Sequence, residues 1–146
     1  MKKIAINFFN EDSNFKLKQI NLTRNWINNT IESENYSLKS INFIFCSDQY
    51  LLKINQQYLH HDTFTDIITF DNSEIKKQIE SDIFISIERV KENAKSYKVK
   101  LYTELHRIMI HGTLHLLGYK DKSPKQKELM TAKENSYLSK LYPAIS

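Results

Sequence analysis

The chain has only two glycines in 146 residues. Both lie in one eleven-residue window, His111-Gly112-Thr113-Leu114-His115-Leu116-Leu117-Gly118-Tyr119-Lys120-Asp121. Glycine supplies the backbone freedom that a close-packed site and a sharp chain reversal need. The same window holds two of the five histidines, at i and i+4. On a helix those two side chains are neighbours, about 5–6 Å apart at Cβ, and can converge on one tetrahedral metal ion. Gly118 is placed to stop the helix, and Asp121 follows far enough on to turn back toward the pair. Two histidines, one carboxylate and an open fourth position describe a catalytic zinc site. The same donors suit non-haem Fe(II); zinc is preferred because a helical histidine pair is its commoner setting. Two plainer readings stand beside this one. Asp121 can be a surface carboxylate paired with Lys120 or Lys122, and the histidines can be core or capping residues. The zinc-protease pattern H-E-x-x-H needs its glutamate where this chain has Gly112, so a peptidase would lack its base.

The rest of the chain supplies a scaffold. Residues 3–9, 38–46, 65–70 and 82–86 are β-branched or aromatic runs and read as strands. Residues 17–33 place Leu17, Ile20, Trp26, Ile27 and Ile31 near helical spacing, with Thr23 and Asn25 facing away. Ser47 or Asp48 caps a short helix carrying Leu51, Leu52, Ile54 and Tyr58. Residues 59–64 read as a polar loop and 71–80 as a charged connector. A lysine-rich helix opens near Ser86 and runs to about Tyr97. The most apolar helix spans 101–117. Ser123 and Pro124, as N-cap and first helical residue, start a last helix that runs to about Leu141 and ends at Pro143. This is an α+β pattern: a small mixed four-stranded sheet packed with about five helices, the metal candidate on a central helix. Residues 1–146 form one domain on this reading.

The lone cysteine, Cys46, ends an apolar run and reads as a buried structural thiol; a reducing, cytoplasmic compartment fits. No stretch approaches the length of a membrane span, and the apolar run after Met1-Lys2-Lys3 is too short for a signal peptide. Charge is unevenly spread. Residues 1–88 carry nine Lys/Arg against twelve Asp/Glu, whereas residues 89–146 carry twelve against five. The histidine window lies in the basic half. A basic field beside a site favours an anionic partner, nucleic acid above all, although a lysine-rich surface also serves solubility.

Three blocks give the chain a resemblance to the YbeY family of bacterial rRNA maturation endoribonucleases. The family motif H-G-x-L-H-L-x-G-Y-D-H is matched by His111 to Asp121, T-D-V-L-S-F by Thr65 to Phe70, and G-D-I-x-I-S by Ser81 to Ser86. The resemblance implies a metal-dependent, single-strand-specific endoribonuclease. It would act in small-subunit rRNA maturation at the 3′ end and in ribosome quality control. The implied metal is one zinc ion per chain. The implied partners are rRNA and the small ribosomal subunit, with a small-subunit protein or assembly GTPase as further candidates, and no membrane. Of the three family zinc histidines, two fall on His111 and His115, and the third falls on Asp121, a harder and anionic donor. A family arginine, in a Y-R-x-x-D segment, falls on Leu59 within Tyr58-Leu59-His60-His61-Asp62. Leucine cannot hold a phosphate; His60 or His61 could substitute, or could be plain loop histidines. Asp66 would brace the site rather than ligate. The catalytic base is not legible. The missing arginine keeps one rival in view, an RNA- or ribosome-binding assembly factor that does not cut.

Overall fold

The structure, a computed structural model, describes residues 3–61 and 63–142. Its elements run β1 (Ile6–Asn10), α1 (Ile20–Ser33), β2 (Ser37–Cys46), α2 (Asp48–Leu59), β3 (Ile67–Asp71), β4 (Gln78–Ser86), α3 (Ile87–Tyr97), α4 (Leu101–Leu116) and α5 (Pro124–Leu138). The four strands form one mixed sheet in the order β1-β2-β4-β3. β1 and β4 each run parallel to β2, and β3 runs antiparallel to β4. The α+β architecture expected from the sequence is the one observed.

Alternation along the strands decides which side faces the main core. Ile41, Phe43 and Phe45 of β2 and Ile79, Ile83 and Ile85 of β4 are buried together with Trp26, Ile27 and Ile31 of α1 and Leu105, Met109 and Leu114 of α4. Phe8 stacks on Phe43 across the β1–β2 pair, with ring centroids 5.6 Å apart. A smaller cluster of Cys46, Leu51, Ile54 and Ile68, with Phe84 against it, carries α2. Cys46 is buried there, and that burial pushes its thiol up to about 12. The thiol is therefore inert at neutral pH.

The helix ends follow local chemistry. Ser47, Ser86 and Ser123 each accept a backbone N–H as N-caps, and Ser123 completes a capping box with Gln126. α4 ends in a Schellman turn. Gly118, at φ 97°, donates its N–H to the His115 carbonyl, and Tyr119 donates to the Leu114 carbonyl.

Several boundaries differ from the sequence expectation. α1 starts at Ile20 because Gln19 turns left-handed, at φ 55°. Leu17 packs on the core from outside the helix, while Ile20 is exposed. Thr23, expected to face away, is buried and hydrogen-bonded to His106 Nε2 at 3.2 Å. The buried stripe is Thr23, Trp26, Ile27, Thr30 and Ile31, a helical spacing in which two threonines stand among apolar residues. β4 begins at Gln78, within the stretch read as a connector, because Ile79 is core while Gln78 and Glu80 lie on the wetter face. α5 ends at Leu138 rather than Leu141, where Tyr142 N–H bonds back to the Leu138 carbonyl. Pro143 lies outside the described residues.

α4 is the element that positions the site. Gly112 lets it settle on β3: a Cβ there would meet Ile67 Cδ1 at 2.8 Å and Thr69 Oγ1 at 3.0 Å. Gly112→Ala is expected to push Ile67 Cδ1 and Thr69 Oγ1 aside and, after the helix-propensity gain of alanine, to destabilise the protein by about 1 kcal/mol or more, measured by denaturant unfolding. His106, on the same helix, is a core histidine between Thr23 and Tyr142, 2.7 Å from the Tyr142 hydroxyl. Burial pulls its pKa down to about 4 from 6.5. Its folded pKa is depressed, so the stability it contributes is present above pH 6.5 and is lost as pH falls toward 4. The loss is on the order of 3 kcal/mol. Unfolding curves from pH 7 to pH 4 should show this slope in the wild type and a flatter one in His106→Gln.

Candidate metal centre

His111 and His115 stand one turn apart on α4, with ring centroids 4.6 Å apart and planes at 87°. Their Nε2 atoms are 3.0 Å from each other. The chain reverses at Gly118 and returns Asp121 to the pair, its Oδ2 lying 3.3 Å from His111 Nε2 and 3.4 Å from His115 Nε2. Asp121 is therefore not spent on Lys120 or Lys122. Among the described residues these three side chains are the only group of His, Cys, Asp or Glu that could hold a metal ion, with ligand atoms within 4.8 Å of one another.

The far side of each ring explains the geometry. His111 Nδ1 is 2.7 Å from Glu134 Oε2, and His115 Nδ1 is 2.9 Å from the Tyr119 carbonyl. Both partners only accept, so each Nδ1 carries the hydrogen. In the neutral rings each Nε2 then presents a lone pair. Two lone pairs and a carboxylate oxygen face one another at 3.0–3.4 Å, an arrangement that repels unless a cation or proton lies among them. A tetrahedral ion with bonds of about 2.0–2.1 Å spaces its ligand atoms by about 3.3–3.4 Å. The donor set and its spacing fit such an ion.

Glu134 is buried and engaged at both oxygens: Arg107 Nη1 donates to Oε1 at 3.0 Å, and Arg107 Nη2 donates to Asn135 Oδ1 at 2.8 Å. Tyr119 is fixed in turn. Its hydroxyl donates to Glu34 Oε1 at 2.7 Å, and Glu34 Oε2 also accepts from Lys133 and from the Tyr137 hydroxyl. Burial works against ionisation of Glu34, but the Tyr137, Tyr119 and Lys133 hydrogen bonds hold its carboxyl below the ordinary value. So α1 and α5 both brace the α4 turn. Burial likewise opposes protonation of His111, yet the Glu134 carboxylate, helped by Asp121 and Asp66, raises its pKa above 6.5.

The triad opens into a cavity of about 600 Å³. Asp66 lines it. Its carbonyl accepts the Ser86 N–H and its Oδ2 accepts from Asn93 at 3.2 Å, so it braces β3 against α3. Burial raises its carboxyl above the ordinary value, against the pull of His111. Burial also pushes the neighbouring Glu104 up to about 7, with Asp66 adding to the effect. Leu59 and His61 line the cavity too. His60 is a left-handed C-cap of α2, and both loop histidines are exposed.

Comparison with known proteins gives the same constellation a family. The family model described as Endoribonuclease YbeY matches residues 5–142. The chain belongs to the YbeY family. A relative from Cytophaga hutchinsonii, named Endoribonuclease YbeY, is 54% identical over 95% of this chain and 97% of its own length. One of the same name from Amoebophilus asiaticus is 49% identical over 94% of each. The solution structure of a Thermotoga maritima protein superposes with a TM-score of 0.67 at 24% identity, covering 96% of this chain and 91% of that one. That likeness speaks for the fold.

Sequence reasoning missed Glu134, Arg107, Glu34 and the carbonyl role of Tyr119. One signal was available for Glu134. Residues 89–146 hold only five acidic residues, and Glu104, Asp121 and Glu134 are three of them. In the metal-free protein, Glu134→Gln removes the anion behind His111. The His111 pKa, read by NMR titration, is expected to fall relative to the wild type.

Proposed function

We propose that this protein is a metal-dependent endoribonuclease in which His111, His115 and Asp121 hold one divalent ion, zinc by its donor set. The reading extends to residues 1–146 as a single catalytic domain. It places the protein in the cytoplasm, on single-stranded rRNA of the small ribosomal subunit. A small-subunit protein or assembly GTPase is the partner class that setting would bring. One observation carries the proposal: three convergent lone-pair donors, two of them locked in the correct tautomer, face a cavity in a chain whose relatives are named endoribonucleases. An inert buried thiol suits a reducing compartment, and no described helix is long and apolar enough to cross a membrane.

A divalent ion held by this triad supplies Lewis acidity for phosphodiester cleavage. The chain's own residues do the rest. Glu134 and the Tyr119 carbonyl hold each Nδ1–H and so keep each Nε2 lone pair directed at the site. Asp66 lines the same cavity with its carboxyl held above the ordinary value by burial, which suits it to take or return a proton, as His61 and Asp71 on the same lining also could. Exposed Lys91 and Lys95 on α3 and Lys98 at its C-cap, with Lys120, Lys122 and Lys125 around Asp121, supply phosphate contacts outside the cavity.

Metal analysis with a cleavage assay tests the proposal. Purified protein is expected to bind one equivalent of zinc. His111→Ala with His115→Ala should abolish both metal uptake and RNA cleavage, and Asp121→Ala should weaken both. Cleavage that survives the double change, or protein that takes up no divalent ion, overturns the reading. Protonated imidazole cannot ligate, and the His111 pKa is raised. Proton competition therefore begins above pH 6.5, and apparent metal affinity should drop steadily as pH falls. RNA affinity should fall steeply with salt.

A further inference from the structure

The cavity that holds the triad is lined by unlike groups. His111, His115, Asp121 and Asp66 bring polar and acidic side chains to it, while Leu59 at the end of α2 and Phe64 in the α2–β3 loop bring apolar ones. Phe64 is 48% exposed and Leu59 40%. No lysine or arginine is among the described lining residues, so the lining offers a strand histidine and uncharged donors rather than a fixed cation.

We propose that the Phe64 ring, which lines this cavity and is backed by the Arg89 guanidinium, is a stacking platform for one unpaired nucleobase of the bound RNA. The inference rests on the ribonuclease reading above.

The ring is presented rather than stranded. Asn55 Nδ2 donates to the Thr63 carbonyl at 2.8 Å, and His61 N–H donates to the Asn55 carbonyl at 3.1 Å. Those bonds tie His61 and Thr63 to Asn55 of α2, next to Phe64 in the cavity lining. Arg89 Cζ lies 5.4 Å from the ring centroid. Its Nη2 is fixed by Asp48 Oδ2 at 2.9 Å, and Asp48 is held by the Ser86 hydroxyl at 2.6 Å. Among the described residues Arg89 Nε is buried with no hydrogen-bond partner, and Asp48 and the ring are the contacts seen at the guanidinium. A cation against an aromatic ring at a strand-binding surface is a recurring device for stacking bases.

Space and chemistry agree with this occupant. The cavity of about 600 Å³ falls within the range of about 300–1,000 Å³ typical of sites for small organic ligands. Leu59 gives the wall apolar surface beside the ring where an arginine would give charge. A platform that takes a splayed base also disfavours duplex, where each base face is covered by its stacked neighbours.

The test compares two short single strands of equal length, oligoadenylate RNA and its abasic counterpart, binding to the full-length protein. Phe64→Leu keeps apolar bulk and removes the aromatic face. It is expected to weaken oligoadenylate binding about 5- to 100-fold, to leave the abasic strand nearly unchanged, and to abolish quenching of a 2-aminopurine reporter. In the cleavage assay it should raise KM more than it lowers kcat. Phe64→Trp should restore binding and quenching. A Phe64→Leu protein that binds both strands as the wild type does, or weakens for both equally, overturns the platform alone. A wild-type protein that neither binds nor cuts single-stranded RNA overturns the platform together with the ribonuclease reading.

Discussion

The contact between α4 and β3 at Gly112 governs the rest of the structure. With no Cβ, the helix backbone lies directly against Ile67 and Thr69. That depth sets where His111 and His115 emerge relative to the sheet. It also brings β3, with Asp66 just before it, to the same cavity. A bulkier residue would have to displace Ile67 and Thr69 or raise both histidines together, while Asp121 comes from the turn beyond Gly118. The two glycines thus fix the two independent coordinates of the site, the height of the helix and the return of the chain.

Bracing around that contact comes from polar networks at the helix ends. Glu134 and Arg107 tie α5 to α4 behind one histidine. Glu34, Tyr119, Lys133 and Tyr137 tie α1 and α5 to the turn behind the other. Both networks are partly or fully buried and charge-assisted, so removing one member leaves the others unpaired. The imidazoles are held by elements distant in sequence, which makes their geometry a property of the whole fold.

What could be read from the sequence follows from which signals are local. The α4 motif, the serine caps and the strands rich in Ile and Phe are local, and the order of elements was legible from them. The convergence of His111, His115 and Asp121 was legible because spacing on one helix and one turn sufficed. Glu134 was not, because α5 is polar on most sides and its apolar positions lack a sharp period. Thr23 and His106 were not, because a buried polar pair shows only when both partners are known. Phe64 was hidden for a similar reason. An aromatic residue in a loop reads as nothing in particular until Arg89, 25 residues on, is found behind it.

Asp121 has a consequence for the electrostatics of the proposed centre. A divalent ion among three neutral imidazoles keeps its full charge, whereas a carboxylate donor cancels one unit of it. The centre in this chain would attract a phosphodiester less strongly at long range and release an anionic product more readily. Lys120 and Lys122 flank Asp121 directly in sequence and are exposed. They return positive charge to the rim, where salt can screen it. A carboxylate donor at Asp121 would thus move part of the attraction for RNA from the ion to the surrounding surface. Capture of the strand would then be more sensitive to ionic strength than the bond-breaking step.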